Sequence, residues 1–70
     1  MWKAALIFLS KLDNSKVLVN LETIKYIEST PDTLIFFING DSMLVRETLD
    51  EVERRVVDFK NKILLNVENK

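Results

Sequence analysis

The side chains with a claim to bond-making chemistry are carboxylates and hydroxyls, because this 70-residue sequence contains neither histidine nor cysteine. General acid–base work needs a carboxylate or imidazole held in a water-poor pocket. Glu28, Asp32, Asp41 and Glu47 all fall at expected strand ends and turns, where solvated charge is the ordinary state. Ser10, Ser15, Ser29 and Ser42 have no histidine to take their proton, so a serine nucleophile is not expected. The stretch DNSKVLVNLETI opens like a calcium loop but lacks the central glycine and the closing bidentate glutamate. Gly40 is the sole glycine, which rules out a glycine-rich phosphate loop. The expectation is a protein that is not an enzyme and that carries no cofactor and no metal.

Composition narrows the classes further. At this length one domain over residues 1–70 is expected, with a core small enough for association to matter. Without cysteine there is no disulfide framework, and a cytoplasmic setting fits best. Ten basic and eleven acidic residues give a net charge of −1. Neither half of the chain carries a basic patch, so nucleic acid is not the expected partner. The run Ala4 to Leu9 is too short for a bilayer span or a signal-peptide core and reads as a buried strand.

Elements must position whatever the chain presents. Ala5–Leu12 and Lys16–Asn20 read as strands joined by the turn formers Asp13-Asn14-Ser15. Asn20 to Thr23 reads as a short turn with Asn20 bonding its own backbone, and Ile24–Ser29 as a third strand. Tyr26 and Ile27 then face opposite ways. Thr30-Pro31-Asp32 makes a turn, since proline fixes φ and lacks the ladder donor. Leu34–Ile38 is the fourth strand, Asn39-Gly40 a tight turn, and Ser42–Glu47 the fifth strand.

The period then lengthens. Thr48 and Glu51 have the spacing of a capping box, and Leu49, Val52, Val56, Phe59 and Ile63 draw one apolar helical stripe. Asp50–Arg54, Glu51–Arg55 and Asp58–Lys62 are spaced for ion pairs on the wet side. The helix is expected over about 49–65, leaving 66–70 as a loose tail. The fold class is therefore α+β, mostly β: about five short antiparallel strands curled into a sheet or small barrel, then one amphipathic helix.

The segment Leu34 to Ile38 is apolar on both faces, and one helix covers only one of them. Curling into a barrel or self-association must hide the other, which makes Ile35 and Phe37, together with Trp2, candidates for a contact between copies. Trp2 has two readings: an anchor for a partner, or a ring packed over an open barrel end. Arg54 and Arg55 either meet an acidic partner or pair along the helix face.

The stretch VLVNLETIKYIESTPDTLIFFINGDSMLVRETLDEVERRVVDFKNKI resembles the FlbD family of small flagellar proteins, called SwrD in swarming bacteria. The carriers are Asn20, Ile24 and Ile27, Thr30-Pro31-Asp32-Thr33, Asn39-Gly40, Val45-Arg46-Glu47 and the helix from Leu49. The likeness covers about residues 7 to 63. Two departures stand out: the family's Leu-Asn-Gly hairpin is Leu12-Asp13-Asn14-Ser15 here, and residues 1–6 form an N-terminal extension. The resemblance implies a non-enzymatic protein of the cytoplasm, near the inner face of the membrane at the flagellar base. It would support motor or stator power by binding a motor- or stator-associated protein. Exposed groups at Pro31, Asp32, Arg46, Glu47, Arg54 and Arg55 are the expected contacts, and a homo-oligomer is an additional expectation. The alternative is a nucleic-acid-binding regulator, because VNLETIKYIEST is similar to the opening of LytTR-type domains. Those are longer and carry a basic segment after the helix, which this chain lacks.

Overall fold

The structure, a computed structural model, describes the backbone of residues 5–68 and the side chains of residues 5–62. In chain order the elements are β1 (Leu6–Ser10), β2 (Lys16–Asn20), a single 3-10 turn (Leu21–Thr23), β3 (Ile24–Ser29), β4 (Thr33–Phe37), β5 (Ser42–Val45) and α1 (Leu49–Glu68). All strand pairs are antiparallel, β1 with β2 in one sheet and β3-β4-β5 in another. The α+β class and the element order follow the expectation.

Two of the three hairpins, β1–β2 and β4–β5, are built alike. In the first, the Asn14 amide donates to the Lys11 carbonyl and the Lys11 amide to the Ser15 carbonyl, with Asn14 at φ 72°. In the second, the Gly40 amide donates to Phe37 and the Phe37 amide to Asp41, with Gly40 at φ 97°. Each is a three-residue loop whose last residue is left-handed, the place where Gly or Asn is cheapest. The tight Asn39-Gly40 turn therefore needs positive φ only at Gly40. A side-chain oxygen braces each loop: Asp13 Oδ1 accepts from the Ser15 amide and Asn39 Oδ1 from the Asp41 amide. Asn20 does the same at the 3-10 turn, accepting from the Glu22 amide at 3.0 Å. The Thr30–Pro31 peptide in the third turn is cis.

The core consists of Ile7, Leu9, Val19, Ile35, Val45 and Val52. Val17, Leu21, Ile24, Ile27, Phe37, Met43, Val56 and Phe59 pack around it. Along each strand the odd-numbered positions point inward, with one adjustment. A bulge between Ile24 and Tyr26 inserts Lys25, so Ile24 pairs with Phe37 and Tyr26 with Phe36. Ile24 and Ile27 thereby share the core face while Tyr26 turns out. Helix α1 lies against β1 and β3 and contributes Val52, Val56 and Phe59 to the packing. Leu49, expected on this stripe, is 41% exposed, and the Ile63 side chain lies outside the described residues.

Of the two forms expected, sheet or small barrel, the structure takes the open one, and two other expectations need correction. The sheets do not close into a barrel. They meet at one corner, through the Lys11–Val45 bridge and an Arg46 amide bond to the Ser10 carbonyl at 2.8 Å. Helix α1 runs to Glu68 rather than fading at residue 65, because neither glycine nor proline follows Gly40 to stop it. Among the described residues the helix-face pairs Asp50–Arg54, Glu51–Arg55 and Asp58–Lys62 are not formed within 4.0 Å; Arg55 instead reaches Glu47.

Candidate interaction surfaces

The polar centre of the molecule is Glu47. It was expected to be solvated at a strand end, yet only 6% of it is exposed. Its Oε1 accepts from the Ser10 amide at 2.9 Å, and its Oε2 accepts from Arg55 Nη1 at 2.9 Å. The same Arg55 nitrogen donates to the Phe8 carbonyl at 2.7 Å. Sequence explains the placement: β5 ends at Val45, Arg46 continues the pairing with Ser10, and Thr48 caps the helix. Glu47 is thus caught between strand and helix with its side chain turned in. Burial pushes its pKa up, but bonds from the Ser10 amide, its own amide, the Ser10 hydroxyl and Arg55 outweigh this and hold it below the usual carboxylate range.

The pair Glu47–Arg55 occupies the position of a neighbouring strand. Beside β1, a carboxylate oxygen replaces the backbone acceptor that Ser10 would otherwise meet, and a guanidinium replaces the donor for Phe8. The paired edge ends there. Pairing between β1 and β5 is thus confined to Ser10 and Lys11 opposite Val45 and Arg46.

A second surface is the outer side of the three-stranded sheet. Register places Tyr26 beside Phe36, and Leu34 between Glu28 and Leu44. The Tyr26 and Phe36 rings stack at 4.6 Å between centroids, tilted by 33°. Yet Tyr26 is 48% and Leu44 38% exposed, so the second apolar face of β4 is left partly open. On the other sheet, Phe8 pairs with Leu18 in the same outward sense, and both are exposed.

The expected contact residues are scattered. Pro31, Asp32, Arg46 and Arg54 are exposed on the third turn, the β5–α1 link and the helix. Arg55 is 43% exposed and tied to Glu47. Ile35, expected at a contact between copies, is fully buried in this chain's own core, and Phe37 packs beside it. The residues on the open face are their neighbours of opposite parity, Leu34 and Phe36. Trp2 lies outside the described residues. Alternation along β4 carried the signal, but deciding which parity faces out requires the elements that pack on its inner face.

Among the described residues no three His, Cys, Asp or Glu side chains converge as metal ligands, and no helix is long and apolar enough to cross a membrane. Fold and surfaces together define a small, mostly β α+β protein: two antiparallel sheets under one C-terminal helix, with apolar outer faces. The chain belongs to the FlbD family of flagellar and swarming motility proteins, whose model matches residues 6–64. That span starts with the first residue of β1 and ends inside α1, so it takes in the whole core. No curated protein and no solved structure matches the chain.

Proposed function

We propose that the chain is a non-enzymatic cytoplasmic protein that supports flagellar motor or stator power through protein–protein contacts. The observation that carries this reading is the family match over residues 6–64. Two features support it. The sequence lacks the histidine and cysteine on which most acid–base and nucleophilic sites depend. The folded chain also leaves Tyr26, Phe36, Leu34 and Leu44 on one partly open sheet face, the sort of patch that marks interaction surfaces.

In this reading residues 1–70 act as one domain, and the open β3-β4-β5 face is the main contact, while Pro31 and Asp32 on the third turn, Arg46 on the β5–α1 link and Arg54 on the helix are polar contacts apart from it. Self-association uses the same outer face rather than Ile35. The test is gene deletion followed by measurement of swimming speed and motor torque. Reduced torque with flagella still assembled is the expected result; unchanged motility and torque would sink the proposal. Complementation with Tyr26→Ala should restore the protein's level but not full torque.

A further inference from the structure

We propose that the free edge of β1, from Leu6 to Phe8, takes up an extended acidic segment of a partner protein as an added strand. Pairing with β2 fixes which way the backbone of β1 points. The Lys11 amide donates to Ser15 and the Leu21 amide to Ala5, so the odd residues of β1 bond to β2. Leu6, Phe8 and Ser10 therefore direct their amides and carbonyls to the opposite edge. Ser10 is satisfied there by Glu47 and by the Arg46 amide, and the Phe8 carbonyl by Arg55. Among the described residues, the Phe8 amide and both backbone groups of Leu6 have no partner. An unpaired row of this kind is a template for another strand.

A groove of about 450 Å³ runs along this edge, walled by β1 and by Arg55, Asp58, Phe59 and Lys62 of α1, with Lys16 at its rim. Phe8 and Phe59 give it apolar ground for alternate side chains of an incoming strand. Glu47 neutralises Arg55, which leaves Lys16 and Lys62 in excess over Asp58. This local positive balance stands on a chain whose net charge is −1. It also selects the occupant. A second copy docking edge to edge would bring the same cations together, and β1 has no acidic residue to answer them. An acidic segment from another protein meets the groove with opposite charge.

The proposal rests on the interaction-protein reading above but is tested apart from motility, so a failure of either can be told from a failure of the other. The purified full chain, labelled with nitrogen-15, is titrated with a short capped peptide of alternating valine and glutamate. Amide signals of Leu6 and Phe8 should shift saturably, and the Phe8 amide should gain protection from exchange. A counterpart with lysine in place of glutamate, or with one edge N-methylated, should bind at least about tenfold more weakly. The exposed double variant Lys16→Glu/Lys62→Glu should lose about tenfold affinity for the acidic peptide while keeping the fold. No saturable shift on β1, an equal response to the lysine peptide, or shifts centred on Tyr26 and Phe36 would overturn the proposal. So would β1 shifts that follow protein concentration alone, since these would make a second copy the occupant.

Discussion

A carboxylate withdrawn from water is costly unless it is paired and hydrogen-bonded, and Glu47 has both kinds of partner within 2.9 Å. Because its folded pKa lies below the ordinary value, the unfolded chain binds the proton more readily than the folded one. Its stabilisation is therefore complete above the unfolded carboxylate pKa and is lost as pH falls through the lower folded value. Glu47→Gln keeps an acceptor for the Ser10 amide but removes the charge facing Arg55. It should cost about 1–3 kcal/mol at neutral pH. Urea titrations at pH 7 and pH 3 provide the check: the difference between wild type and variant should shrink at the lower pH. An equal difference at both would mean that charge plays no part. Asp13, drawn down by bonds from Ser15, shifts in the same direction but is fully exposed.

Local geometry governs the elements. Gly40 has open space where a Cβ would go, so Gly40→Ala costs only the left-handed backbone, about 1–2 kcal/mol. A drop in urea midpoint of that size, with pairing of β4 and β5 retained by nuclear Overhauser contacts, is the expected outcome. The capping box of α1 closes in both directions, Glu51 amide to Thr48 Oγ1 at 3.1 Å and Thr48 amide to Glu51 Oε1 at 2.9 Å. Thr48→Ala should cost about 1 kcal/mol, measured by thermal or urea unfolding. A neutral result would show that the packing of Val52, Val56 and Phe59 alone holds the first turns.

For the molecule as a whole, the two parities of β4 make opposite predictions. Ile35→Ala empties a site with no exposed surface and should cost about 2–5 kcal/mol, a large part of what a small domain has. Phe37→Asp should prevent folding, since it buries a charge beside the same core. Leu44→Lys, on the open face, should change stability by less than about 0.5 kcal/mol while weakening any association between copies. Light scattering at tens of micromolar (roughly the range at which weak association shows) with parallel unfolding curves separates the cases. Leu44→Lys falling as far in stability as Ile35→Ala would mean that the outer face is covered.

What the sequence determined by itself was the local grammar. The order of five strands and one helix, the Asx-braced hairpins, the Asn20 turn and the Thr48–Glu51 cap all depend on residues within a few positions of one another. The resemblance built on Thr30-Pro31-Asp32-Thr33 and Asn39-Gly40 led to the family that the match over residues 6–64 shows. Only the tertiary structure decided the rest, because it depends on which distant elements lie side by side. The Ser10–Glu47 bond spans 37 positions and the Phe8–Arg55 bond 47. Those contacts bury Glu47 and draw Arg55 off the helix face. The Lys25 bulge then settles which residues of β3 face the core, placing Ile24 and Ile27 inward and Tyr26 outward. Alternation alone identifies two apolar faces; the partner strands decide which one stays open.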